Sequence, residues 1–429
     1  MPPYAHLREQ DDATSTYDSG DSLKYYLTVP SPQELSWLLN FHREVRLLLS
    51  KGFEIEIYTG TSQGDVVGFS DRIVANLDGF VREPDTRNVE YTTPPLNSYE
   101  RLLCELIKPR LKLRHYLKTL GDFTLIPGSC LSLGGAHRFF RSDPLNPYHT
   151  FIEQTYGTRV VTASVHINVG IADPELLMRA CRLVRMEAPL YLALSASSPF
   201  LNGETTGNHS TRWATFPTTP TLVPLFENHG HFIQWTEEQL VIGTMQNVRH
   251  LWSSVRPNGD RRPYSLNRLE LRICDLVTDP IALLAITALL EARIIQSFHD
   301  LTLDPLKSSQ LSAHELINLT IDNEKAAAQA SLDATLHHWQ DGRPLGVREW
   351  LEEIYPDAQA IAKSRGFSCF LSPLSKMLRD GNTAQQWLTL YNQFGDSRLV
   401  LIHAIQSMAE QELELSANLC QPFAASASF

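Results

Sequence analysis

Several short apolar runs in this chain carry polar side chains at every second position. Phe53-Glu54-Ile55-Glu56-Ile57 sets two carboxylates among three apolar residues. In an extended chain residues i and i+2 share a face, so Glu54 and Glu56 point one way and Phe53, Ile55 and Ile57 the other. Strand rise spaces such a pair by about 6–7 Å, where repulsion costs about 2–3 kcal/mol at an effective dielectric of about 20. The pair therefore calls for water, a basic partner or a divalent cation. Val165-His166-Ile167-Asn168-Val169 puts His166 and Asn168 on one face, with Ser164 beside them. Leu269-Glu270-Leu271-Arg272-Ile273 does the same for Glu270 and Arg272, flanked by Arg268, and Val89-Glu90-Tyr91-Thr92 adds an acid before Thr93-Pro94-Pro95. Each run alone reads first as an amphipathic strand with a solvated or salt-bridged face. Together they describe a sheet with one apolar face and one face carrying acids, an imidazole and an arginine. That donor set suits oxygen-preferring divalent cations, Mg2+ or Mn2+, which bridge carboxylates to phosphates. Arg272 would then place a fixed positive charge where a phosphoryl group develops negative charge.

A second candidate is Arg212, at the end of the polar loop Leu194–Trp213. An arginine there can clamp a carboxylate with two hydrogen bonds, although an ordinary exposed arginine is the plainer reading. Gly203 and Gly207 suggest local flexibility and a gate. Other chemistries find no support. Gly134-Gly135 is not followed by GKS or GKT, so there is no P-loop, and HEXXH zinc spacing is absent. The cysteines at 104, 130, 181, 274, 369 and 420 form no CxxC pair, and reduced thiols in a cytoplasm are the simplest expectation. Cys274, just after Arg272, reads as a small buried residue.

Positioning these groups requires a sheet. Runs with strand-like alternation are expected at 53–58, 66–70, 73–75, 89–93, 123–126, 160–170, 231–235 and 268–276, between loops rich in Gly, Pro, Asn and Thr. Helices are expected at about 97–120, 173–195 and 236–252. This irregular mixture indicates an α+β fold with a largely antiparallel sheet. After Pro280 the chain reads as helical: the apolar IALLAITALLEARIIQSFHD, then 312–340, 347–365, 372–380 and 382–415, with a break at Asp380-Gly381. Ser31, Pro32 and Glu34 form a capping-box signature for a further amphipathic helix. The expected organisation is a flexible arm (1–30), a catalytic α+β core (31–280), a helical part packed on it (281–420) and a frayed tail (421–429).

The whole-chain balance is acidic, with 37 Lys+Arg against 48 Asp+Glu in 429 residues, a net charge of −11. A nucleic-acid binder would need the opposite surplus. At 43% hydrophobic and 20% charged the chain is globular in composition. No unbroken apolar run of about 18 residues suggests a membrane span, and the acidic N-terminus lacks the order of a signal peptide.

Five motifs now stand in sequence: GFEIEIYTG (52–60), NVEYTTPP (88–95), SVHINVGI (164–171), LALSASSPFLNGETTGNHSTRW (192–213) and NRLELRICD (267–275). Their order resembles the glutamate–cysteine ligase family of the bacterial carboxylate–amine ligase type, with the cyanobacterial glutamate–cysteine ligases most similar, over residues 30–340. The resemblance implies a glutamine-synthetase-like curved sheet and a cytoplasmic enzyme, monomer or homodimer. It implies ATP-dependent joining of L-glutamate, through its γ-carboxyl, to L-cysteine by way of an acyl phosphate. This is the first step toward glutathione. It further implies Glu54, Glu56, Glu90, His166 and Glu270 as metal ligands, with Glu83 an additional candidate, and Arg272 and Arg212 as catalytic and substrate contacts. One segment departs from the pattern: NEKAAAQASLD (323–333) keeps Asn323 and Asp333 but has Gln329 and alanines where related ligases carry basic or aromatic residues. The motifs thus specify carboxylate activation better than the amine. A ligase with another acceptor is one alternative reading, and a non-catalytic nucleotide or metabolite binder is a second.

Overall fold

The period-two runs fold as strands of one sheet. The computed structural model describes residues 48–420. β1 (Lys51–Thr61) is flanked by β3 (Asn88–Thr92) and β5 (Val165–Gly170). The sheet continues through β2 (Phe80–Arg82) on one side, and through β9 (Arg268–Leu271) to β8 (Val255–Asn258) on the other. β4 (Phe123–Ile126) pairs with the far end of β1, and every pairing is antiparallel. Odd-numbered residues such as Ile55, Val89, Ile167, Leu269 and Val255 are buried in one hydrophobic cluster, leaving the even-numbered face to the polar groups. The fold is α+β with a mainly antiparallel sheet and a helical C-terminal region.

Helices cover the apolar face. Ahead of Pro280 lie α1 (Ser70–Asn76), α2 (Tyr99–Leu120), α3 (Pro147–Tyr156), α4 (Pro174–Ser195), α5 (Thr211–Thr215) and α6 (His229–Val241). Beyond it come α7 (Pro280–His299), α8 (Ala313–Ala330), α9 (Val347–Arg365), α10 (Leu374–Asp380), α11 (Thr383–Phe394) and α12 (Ser397–Leu415). Both α4 and α7 open with an aspartate N-cap, Asp173 or Asp279, and a proline in the first turn, which suits the unpaired N–H groups there. α7 is apolar and long enough to cross a membrane, but 83% of that apolar window is buried inside the protein. It packs against α2, α4 and α9 as a core helix. One buried network ties these layers to the sheet. Lys51 Nζ of β1 donates to Glu291 Oε2 of α7 at 2.8 Å, and Tyr99 Oη of α2 donates to the same oxygen at 2.6 Å.

Several local expectations give way. The runs at 66–70 and 73–75 are not strands: residues 70–76 form α1, which buries Ile73. Residues 231–235 lie in α6, capped by Asn228, whose side chain accepts from His231 N. Alternation over three to five residues does not separate strand from helix. The helix expected at 236–252 ends at Val241, and Val248–His250 is a separate 3-10 turn. Residues 312–340 split into α8 and the hairpin of β10 (Thr335–His337) with β11 (Pro344–Gly346). Residues 382–415 split at Gly395, whose φ of 69° ends α11. The loop 194–213 contains a tight hairpin, β6 (Phe200–Leu201) with β7 (Glu204–Thr205), turning through positive φ at Asn202 and Gly203. Cys104 and Cys420 form a disulfide, against the expectation of reduced thiols. The pair is 316 residues apart in sequence and meets because the end of the helical region packs on α2. The arm at 1–30, the helix capped by Ser31 and the tail 421–429 lie outside the described residues.

Candidate active site

Strand register assembles the polar face. Glu56 of β1 stands opposite Glu90 of β3, and Glu54 opposite His166 of β5. Asn168, Glu270 and Arg256 then form a row across β5, β9 and β8. The result is two donor clusters, Glu54–His166–Glu270 and Glu56–Glu83–Glu90, each with ligand atoms all within 4.8 Å of one another. Two carboxylates with an imidazole in the first, and three carboxylates in the second, each fit a hard divalent cation. His166 lies between the clusters: its Nδ1 is 3.0 Å from Glu54 Oε2 and 3.6 Å from Glu270 Oε1, and its Nε2 is 3.9 Å from Glu56. Ser164 Oγ donates to Glu56 Oε2 at 2.7 Å and lies 3.2 Å from His166 Nε2. Ser164 Oγ can therefore accept a hydrogen bond from Nε2–H, which would free Nδ1 to serve a cation at the first cluster.

The crowded acids differ in charge. Burial, then the charges of Glu54 and Glu56, push Glu90 up to about 8. Burial, then Glu56 and Glu90, drive Glu83 well above the usual carboxylate range, and the two side chains share a hydrogen bond. For Glu54, burial and the Glu270 charge act upward, but His166 and Arg272 outweigh them and hold it low. Burial opposes ionisation of Glu270 too, yet Arg256, Arg272 and His166 keep it well below its ordinary value. Glu83 and Glu90 thus tend to retain protons near neutral pH when no cation is bound, whereas Glu54 and Glu270 are ionised.

Glu270 is fully buried, and all its lone-pair positions are taken. Arg256 grips it with Nε to Oε2 at 2.7 Å and Nη2 to Oε1 at 3.0 Å, Asn258 Nδ2 reaches Oε2 at 2.6 Å, and Arg272 Nη1 reaches Oε1 at 2.6 Å. Arg272 and a cation at the first cluster therefore compete for Oε1. The sequence reading missed Arg256. Its run Val255-Arg256-Pro257-Asn258 shows the same period-two pairing, but Pro257 argues against a strand; β8 is an edge strand, where proline is tolerated.

Arg212 is the second residue of α5 and is buried. Its Nη1 and Nη2 donate to the carbonyls of Ile273 and Arg272, both at 3.1 Å. Asp275 accepts from Ser197 N, Ser198 Oγ and Ser210 Oγ, which fastens this loop to the end of β9. Arg212 lines the same cavity as Arg272 while bracing its backbone. The departing segment 323–333 serves packing: Asn323 caps the β10 hairpin through His337 N and O at 2.8 Å, and Ala327 and Ala328 are buried.

Two cavities meet at Glu54. One, of about 490 Å3, holds Glu56, Glu83, Glu90, His166, Arg212 and Arg272, with Tyr148, Phe216, Arg249 and Trp252 toward its wall. The other, of about 470 Å3, is lined by Gly52, Thr92, Thr93, Asn168, Asn267 and Arg268, with Asp260.

The sequence profile of glutamate–cysteine ligase family 2 matches residues 50–413. A protein provisionally named glutamate–cysteine ligase 2 in Sorangium cellulosum is 31% identical over 230 residues, covering 53% of this chain and 58% of its own. A counterpart of the same name in Solibacter usitatus is 26% identical over 286 residues, covering 64% and 71%. Among solved structures, the glutamate–cysteine ligase of Francisella tularensis in complex with AMP superposes with a TM-score of 0.67 at 13% identity, covering 89% of this chain and 94% of that one. That likeness establishes a shared fold. With the profile spanning most of its length, the chain belongs to glutamate–cysteine ligase family 2.

Proposed function

We propose that the protein joins the γ-carboxyl of L-glutamate to the amine of L-cysteine at the expense of ATP. In the first step a γ-carboxylate oxygen attacks the γ-phosphorus of ATP, and the bond to ADP breaks. In the second the cysteine nitrogen attacks the acyl carbon, phosphate leaves with the carbon–oxygen electrons, and the amine loses a proton. The observation that carries this reading is the pair of donor clusters with Arg272 on one sheet face, where the two cavities meet at Glu54. Two anionic substrates meeting there would otherwise repel.

Glu54, His166 and Glu270 would hold one Mg2+ or Mn2+, and Glu56, Glu83 and Glu90 another. When bound, such ions neutralise the phosphates and polarise the transferring group. The protein's own groups do the rest. Arg272 faces Glu270, Glu54 and Glu56 and supplies a guanidinium to the developing charge. Arg212 fixes the backbone that carries it. The larger cavity concentrates arginines and suits the amino acids, with Arg249 at its exposed wall available to a substrate carboxylate. The smaller one, with hydrogen-bonding side chains and one arginine, suits the nucleoside. The departure at 323–333 keeps a second reading in play, a ligase with another amine acceptor.

The test is ADP release with L-glutamate, Mg2+ and a panel of amines, with hydroxylamine as a trap for the acyl phosphate. Glutamate-dependent hydroxamate and fastest turnover with L-cysteine are expected. ADP release indifferent to glutamate would refute the proposal, and faster turnover with another amine would transfer the chain to the second reading.

A further inference from the structure

The loop joining β8 to β9 holds two adjacent arginines with opposite fates. Arg261 is exposed, whereas Arg262 turns inward so that its Nε and Nη1 are sealed from solvent without any hydrogen-bond partner. A buried guanidinium nitrogen left unpaired is costly and calls for an explanation. The loop is built to keep it there. Pro263 O is 2.8 Å from His229 Nε2 of α6, Tyr264 Oη donates to Glu237 of α6 at 2.7 Å, and Leu266 is buried. A Cβ on Gly259 would lie 2.1 Å from Ser265 O, so the turn closes too tightly for any other residue.

The surroundings are cationic. The charges felt most strongly by Arg262 are those of Arg256, Arg272 and Arg249, opposed by Glu270. Burial first, and then those neighbours, pull its pKa down to about 9. Glu270 cannot serve it, because Arg256, Asn258 and Arg272 already occupy both of its oxygens. Arg262 thus stands among three other guanidinium groups, and the carboxylate that opposes them there is saturated. A chain of phosphates carries several anionic oxygens that such a cluster of guanidinium groups can hold. The same loop contributes Asp260 and Asn267 to the smaller cavity.

We propose that Arg262 is a contact for the phosphate chain of the nucleotide, held unpaired by the β8–β9 loop until that ligand arrives. This rests on the ATP-dependent reading above. An unpaired guanidinium kept for a ligand should destabilise the empty protein, so its removal separates this role from a merely structural one.

The experiment compares full-length wild type with Arg262→Met and Arg262→Lys by calorimetry with Mg-ADP, by thermal melting without ligand, and by melting with tripolyphosphate or L-glutamate added. Arg262→Met should melt higher than wild type when empty, bind Mg-ADP at least tenfold more weakly, and lose the tripolyphosphate-induced shift while keeping that of L-glutamate. Arg262→Lys, which keeps the charge without the planar fork, should fall between. Unchanged Mg-ADP affinity in both variants overturns the proposal, as does a selective loss of the L-glutamate shift, which would make the anion a substrate carboxylate. If Arg262→Met does not fold, a role in folding is indicated and unaltered nucleotide affinity in Arg262→Lys overturns the proposal. Wild type that binds neither Mg-ADP nor tripolyphosphate would instead refute the reading of the site as an ATP-dependent ligase.

Discussion

Replacing Glu90 by glutamine should stabilise the metal-free protein while damaging its function. A carboxyl whose folded-state pKa lies above its unfolded value favours folding most where both states are protonated, and loses that contribution as pH rises through the folded pKa. For Glu90 the window runs from its ordinary 4.5 to about 8. At about 1.4 kcal/mol per pH unit, the cost to the native state grows to about 3 kcal/mol at pH 7 and about 5 kcal/mol at pH 9. Glutamine copies the neutral acid and can still hydrogen-bond Glu83, so Glu90→Gln removes that cost. Water at the cavity edge screens part of it, so the expected gain at pH 9 is about 2–5 kcal/mol, vanishing near pH 4.5. The assay is urea unfolding of both proteins in EDTA between pH 5 and 9. With Mg2+ added at pH 8 the order should reverse, because binding to the native state stabilises wild type more than a variant lacking one ligand. A variant less stable than wild type in EDTA at pH 9, or a difference that does not change with pH, would refute the reasoning.

Arg272→Lys keeps the charge but loses the planar fork. The expected loss is about 3–4 kcal/mol in the barrier, or about 10²–10³ in kcat, read from hydroxamate formation; full activity would remove Arg272 from the reacting centre. Alkylation of the denatured protein without reductant should leave Cys104 and Cys420 unlabelled, and only prior reduction should expose them. Under native conditions Cys369 should react first, since Cys130, Cys181 and Cys274 are buried; labelling of Cys104 or Cys420 without reductant would contradict the pairing.

The sequence by itself determined the polar face, because side-chain alternation in a strand is a local property. Glu54 with Glu56, His166 with Asn168, and Glu270 ahead of Arg272 could be set on one side of their strands without knowing what lay next to them. The long capped helices were legible for the same reason: Asp173-Pro174 and Asp279-Pro280 announce their starts, and apolar periodicity carries them for 20 residues or more. Short elements were not. Residues 70–76 and 231–235 became helical because burial of Ile73 and the Asn228 cap outweighed a few residues of apparent alternation.

Only the tertiary structure decided which acids meet. Glu90 joins Glu56 because β3 pairs with β1 in one register; a slip of one residue would turn it to the other face. Glu83 completes that cluster from the end of β2, where no periodic signal marks it. Arg256 reaches Glu270 across an edge strand whose proline hides it, and Arg212 is spent on two carbonyls despite lying in a polar loop. Pairing, saturation and burial depend on neighbours distant in the chain. The types of group available were therefore readable from the sequence, whereas which of them remain unpaired for a ligand, Arg262 above all, was set by the fold.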